Sequence, residues 1–215
     1  MNNTNKKTSE LVIMALFSGI IIVLAFTPFI GYIPLGFTRA TIVHIPVIIG
    51  SLILGPKKGA VLGGVFGMTS LINNTINPTV TSFVFTPFYS FGEISGGISS
   101  IIICFVPRIL VGIVPYYVYK LVKGRSNEIS RTRNITSLAC AGVAGSMTNT
   151  LLVMGLIGTL FTEAYATAQG LTKEAIYTFI SSVIAINGIP EAIVAGIIVI
   201  GIGLAFSKTK LAFHK

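Results

Sequence analysis

Long stretches almost free of charged residues recur from one end of this sequence to the other, and they constrain the fold more than any other feature. About 20 apolar residues cross the hydrocarbon core of a bilayer as a helix, and a helix satisfies its own backbone hydrogen bonds there. Six runs are read as spanning helices, at about 10–28, 40–55, 58–72, 98–121, 135–161 and 176–206. The second and third are short, which makes a re-entrant hairpin the alternative for that pair. A hairpin would put Lys57 and Lys58 at a tip inside the bilayer, where each charge costs about 2.5–3.5 kcal/mol or more. Two spans are therefore preferred, and the first run, which lacks a small-x-small cleavage site, is expected to be retained. The expectation is an all-α integral membrane protein with one six-helix membrane domain over residues 1–215. With 53% of its residues hydrophobic and 10% charged, the chain falls among polytopic membrane proteins.

A net charge of +9 would suggest nucleic acid in a soluble protein, but here the cations sit between the apolar runs. Lys6 and Lys7, Lys57 and Lys58, Lys120, Lys123, Arg125, Arg131 and Arg133, and Lys208, Lys210 and Lys215 all fall on one side of a six-span chain. That side is the cytoplasm by the positive-inside rule, so both termini are expected there. The opposite loops hold only Arg39 and Lys173, and the remaining cation, Arg108, lies inside the fourth run.

An intramembrane arginine is tolerated when it faces the protein interior, water or a ligand. Asn73 to Arg108 is accordingly read as the lid and part of the floor of a small-molecule site. Asn73, Asn74 and Asn77 crowd one helix exit, where amides cap carbonyls or bind a ligand. Phe83, Phe85, Phe88, Tyr89 and Phe91 follow, as an interfacial belt or as part of a lid. Pro107 frees a backbone acceptor beside Arg108. In the sixth run, Asn187 and Glu191 are four residues apart around Pro190 and share a helix face. An Arg108–Glu191 ion pair is the structural reading, and a carboxylate ligand at Arg108 the functional one. Asn149 in the fifth run bonds either a neighbouring helix or a ligand. Arg39 reads as a headgroup contact or a ligand contact, and His44 first as a packing residue and second as a ligand contact. Gly59, Gly63 and Gly67 form a bare helix face suited to close helix packing, and Ala15 and Gly19, with Ser18 beside them, form another on the first helix. Cys104 and Cys140 fall at different depths, so no disulfide is expected. No His/Cys cluster suggests a metal, no cofactor is implied, and the chain has no Walker-A sequence, no Asp and no HExxH, so it does not encode nucleotide hydrolysis itself.

Taken together, the Ala15–Gly19 pair, HIPVIIGSLILGPKKGAVLGGVFG, FVPRILVGIVPYYVYK, TNTLLVMG and NGIPEAIVAGIIV resemble the substrate-binding (S) components of energy-coupling factor (ECF) transporters. The resemblance runs over nearly the whole chain and is greatest to pantothenate-type members, although Gly19 stands where the family often has alanine. It implies a protein of the bacterial cytoplasmic membrane that captures a vitamin at the outer face. It also implies partners: a transmembrane coupling subunit, docked at Ala15, Ser18 and Gly19, and two ATPases. In that reading Arg108 holds the carboxylate of pantothenate, Asn149, Asn187 and the Asn73–Asn77 group meet its amide and hydroxyls, and loop aromatics cover its aliphatic part. Riboflavin or a thiamine-precursor pyrimidine is the alternative ligand. Outside the family, the alternatives are an autonomous ion-coupled carrier using Glu191, an intramembrane enzyme using Glu191 and His44, and a purely structural subunit.

Overall fold

The structure, a computed structural model, describes residues 3–27, 32–35, 38–124 and 130–207. Its helices are α1 (Asn3–Phe26), α2 (His44–Leu54), α3 (Pro56–Ile76), α4 (Ile98–Val111), α5 (Val114–Lys123), α6 (Arg131–Leu160), α7 (Thr162–Ala168), α8 (Ala175–Val183) and α9 (Ile189–Ser207). Four helical stretches, 7–26, 98–123, 131–160 and 175–206, are long and apolar enough to cross a membrane. The fold is therefore mostly helical, as expected, but it is not purely so. Strands β1 (Tyr32–Leu35) and β2 (Thr38–Thr41) form an antiparallel hairpin, with Tyr32 opposite Thr41, and a smaller one joins β3 (Ser90–Phe91) to β4 (Ile94–Ser95). The helix expected from residue 40 thus begins only at His44, because Ala40 and Thr41 pair back with β1.

Helix α2 has 11 residues, all of them buried. At 1.5 Å per residue it spans only about 16 Å. A helix enclosed by its neighbours has no lipid thickness to match, and α1, α3, α5, α6 and α9 all pack around it. Helix α3 runs past its apolar stretch to Ile76, and in this last part Asn74 Nδ2 donates to Ser70 O at 2.9 Å and Thr75 Oγ1 to Leu71 O at 2.8 Å, side chains bonding back onto the preceding turn. Its glycine face closes on α4 and the start of α5. A Cβ on Gly59 would lie 2.0 Å from Gly112 O, and one on Gly63 2.2 Å from Arg108 O. Hydrogen in place of a side chain is what lets these two backbones touch. Near the ends of α1 and α3, Glu10 and Lys58 form a partly exposed ion pair.

Two helices are interrupted, each for a reason written in its prolines. The fourth run breaks between α4 and α5 at Gly112–Ile113, where Pro115 cannot donate to the preceding turn and Gly112 N is shared by Arg108 O and Ile109 O. The sixth run opens into one π-helical turn, Ile184–Gly188, just before Pro190. Two apolar clusters result. One gathers α2 with Phe17 and Ile21 of α1, Leu62 and Phe66 of α3, and Ala195 and Val199 of α9. The other, toward the hairpins, joins Phe83, Val153, Ile157, Tyr165 and Ile180. Leu11, Val12, Leu16 and Val23 leave one side of α1 apolar and exposed. Cys104 and Cys140 are free thiols.

Candidate functional site

A cavity of about 650 Å³ opens among α3, α4, α6, α7, the π turn and α9, with Thr41 of β2 and the 79–85 loop at its rim. Small-molecule pockets typically enclose about 300–1,000 Å³. Its lining is apolar at Val153, Met154 and Ile157 and polar at a few convergent positions.

Arg108 is one of these, only 6% exposed. Pro107 has no N–H, so the carbonyl of Ile103 loses its helical donor. Arg108 fills that vacancy itself: Nη1 donates to Ile103 O at 2.6 Å. The guanidinium carbon then lies 5.6 Å from the Phe66 ring centre and 5.2 Å from that of Phe85, which fixes the cation between two aromatic faces. Its Nε is buried without a partner. The other charged lining residue, Glu191, does not pair with it. Glu191 Oε1 accepts from Thr41 N at 2.6 Å, and Oε2 accepts a long bond of 3.5 Å from Thr150 Oγ1. Asn149, next to Thr150 on α6, is buried on the wall with an unpartnered Oδ1.

Of the residues singled out in the sequence, the cavity brings together Arg108, Asn149, Asn187, Glu191, Asn73, Asn74 and Phe85. Two of these amides also hold the framework. Asn74 Oδ1 accepts from Ser82 Oγ at 2.9 Å, pinning the rim loop to α3, and Asn73 Oδ1 accepts from Asn77 Nδ2 at 3.0 Å. Asn77 itself is off the wall and supports Asn73. His44 is fully buried at the start of α2 and also off the wall. The side chain of Arg39 lies outside the described residues. The loop aromatics divide: Phe85 faces the cavity, Phe83 packs edge-on against Phe161 with ring centres 5.8 Å apart, and Phe88 is 75% exposed.

Sequence reasoning missed Thr41, Thr150, Tyr165 and Gln169. Tyr165 and Gln169 are four residues apart beside α7, a spacing that puts them on one face. Thr150 adjoins Asn149. Burial pushes the Tyr165 phenol up, so it stays a neutral hydroxyl, with a hydrogen bond from Gln169 opposing the shift in part. On α1, Phe17 and Ile21 point inward while Ala15 and Gly19 are exposed, and a Cβ on Gly19 would meet nothing within 4 Å.

Residues 9–203 match the family described as the substrate-specific component of the ECF transporter. The chain belongs to this family. It is similar to the pantothenic acid transporter PanT of Lactococcus lactis subsp. cremoris, at 36% identity over 206 residues that cover 95% of this chain and 96% of the relative. It is also similar to the pantothenate transporter PanT of Leuconostoc mesenteroides subsp. mesenteroides, at 29% identity with 93% of each chain covered. Among solved structures, the S component for biotin from an ECF-type ABC transporter aligns over 95% of both chains, with 20% identity and a TM-score of 0.47. The protein is thus a multi-pass integral membrane component of bacterial vitamin transport, and not an enzyme. Membership implies a vitamin as substrate and an ECF module as partner.

Proposed function

We propose that this S component binds pantothenate at the outer face of the membrane and delivers it to a transmembrane coupling subunit driven by two ATPases. The observation that carries the reading is Arg108, a buried cation on the wall of a ligand-sized cavity, in no ion pair among the described residues and with Nε left over. Burying an unpaired charge is costly, and an anionic ligand relieves the cost on binding. Pantothenate offers one carboxylate, one amide, hydroxyls and a compact aliphatic centre. Arg108 takes the carboxylate, Asn149, Asn187 and Asn73 take the amide and hydroxyls, and Phe85, Val153 and Met154 cover the aliphatic part. The names of two relatives support the same ligand.

The proposed topology has six spans, with α2 and α3 as the second and third, both termini cytoplasmic, and residues 1–215 forming one domain. The coupling subunit docks on Ala15, Ser18 and Gly19. The open space over Gly19 supports this, because internal packing does not occupy that face. Mass spectrometry of small molecules extracted from the gently purified protein, against an unrelated membrane protein, tests the ligand. Enriched pantothenate is expected, and a different vitamin overturns the assignment. Ala15→Leu with Gly19→Leu should leave pantothenate binding unchanged and abolish partner-driven uptake. Uptake that survives places docking elsewhere.

A further inference from the structure

The cavity wall carries two charges of opposite sign that do not meet. Among the described lining residues, Arg108 is the one cation and Glu191 the one acid. They stand on α4 and α9, and α6 packs against both. The two consecutive α6 residues Asn149 and Thr150 both line the cavity, and Thr150 is the one that bonds Glu191. Glu191 is held in place from two sides. Thr41 N–H of the β1–β2 hairpin donates to one oxygen and the Thr150 hydroxyl to the other. Thr150 comes close because Gly188 in the π turn has no side chain: a Cβ there would lie 2.9 Å from Thr150 Cγ2. Thr41 N–H can only donate, so Oε1 acts as an acceptor, and a carboxylate has about four lone-pair sites, so acceptor capacity remains for a ligand.

We infer that Glu191 is the specificity-determining group at the second end of the site. It accepts a hydrogen bond from a neutral hydroxyl of the ligand and rejects ligands that carry a second anion there. The inference rests on the pantothenate reading, in which Arg108 takes the carboxylate and so turns the hydroxyl end toward Glu191. The sharpest competitor is the same molecule esterified with phosphate at its terminal hydroxyl. It keeps the carboxylate, the amide and the aliphatic centre. It loses the donor and places up to two negative charges beside a carboxylate, with no second cation among the described lining residues to neutralise them. Like-charge juxtaposition in a partly enclosed site disfavours binding strongly.

The test is equilibrium competition against labelled pantothenate on the purified full chain in lipid nanodiscs. Three unlabelled competitors are compared: pantothenate, its terminal phosphate ester, and the neutral methyl ether at the same hydroxyl. The wild type is expected to bind the phosphate ester about a hundredfold or more weaker than pantothenate, and the methyl ether only about three- to tenfold weaker, because it loses a hydrogen bond without gaining charge. Glu191→Gln keeps the shape and an acceptor for Thr41 N but removes the charge. It should narrow the ester-to-pantothenate ratio by at least about tenfold. A wild type that binds the ester within about threefold of pantothenate overturns the inference without any variant. So does a Glu191→Gln protein that binds pantothenate and keeps the wild-type ratio, and so does a methyl ether excluded as strongly as the ester, which would make the exclusion steric. A wild type that binds no pantothenate at all instead removes the ligand reading on which the inference stands.

Discussion

Pro107–Arg108 in α4 and Pro190–Glu191 in α9 are the same two-residue arrangement, a proline followed by a charge, and the two helices answer it differently. In α4 the charged side chain is a donor. Arg108 turns back to the carbonyl that Pro107 leaves without an N–H, and the helix runs on unbroken through the proline. In α9 the charged side chain is an acceptor and has nothing to offer a freed carbonyl. The backbone there widens into a π turn, and Glu191 reaches across to Thr41 and Thr150. One helix is mended locally and the other is opened, and both deliver a charge to the same cavity. Each charge also depends on a glycine that seats a neighbour: Gly63 against Arg108 O, and Gly188 against Thr150.

That contrast can be broken at four places. The largest effect is expected at Gly63→Ala. Its Cβ would lie 2.2 Å from Arg108 O and 2.8 Å from Ile109 Cα, and backbone on both sides leaves nothing flexible to yield. Overpacking of this kind typically costs about 1–3 kcal/mol, read as a drop in thermal unfolding temperature in detergent together with weakened binding. Arg108→Ala comes next. It should weaken pantothenate at least about tenfold by calorimetry, with the fold retained. Pro107→Ala gives Ile103 O a backbone donor that competes with Arg108. Thermal stability should rise, since an interior proline is the costly residue, while affinity falls about three- to fivefold. Opposite signs from one substitution would isolate the tethering role of Ile103 O. The smallest effect belongs to Gly188→Ala. The new methyl meets Thr150 Cγ2 at 2.9 Å, a side-chain atom that is able to move, so stability should fall by under about 1 kcal/mol.

Much of this was legible in the sequence. Apolar runs marked the four long helices, and the intramembrane Arg108, Asn149, Asn187 and Glu191 marked the cavity, because each is expensive away from a partner or a ligand. The glycine row on α3 foretold a close helix contact, and four-residue spacing says where such a row lies but not which helix fills it. What escaped the sequence was set by three-dimensional approach. An ordinary threonine such as Thr41 enters the site because a hairpin folds its backbone N–H onto Glu191, 150 residues away in the chain. Tyr165 and Gln169 are unremarkable polar residues in a connection until α7 lays them over the cavity. His44 lies where its first reading, as a packing residue, would put it: enclosed at the start of α2 and away from the wall.

The central claim is that Arg108 reads a carboxylate, and a chemical double cycle tests it most directly. Pantothenate and its alcohol analogue, in which a hydroxymethyl group replaces the carboxylate, are titrated into the wild type and into Arg108→Ala. The wild type should prefer the acid by at least about tenfold, and Arg108→Ala should bind the two within about twofold of each other. A variant that still prefers the acid as strongly as the wild type would mean that the carboxylate is recognised by another group and that Arg108 serves the fold alone.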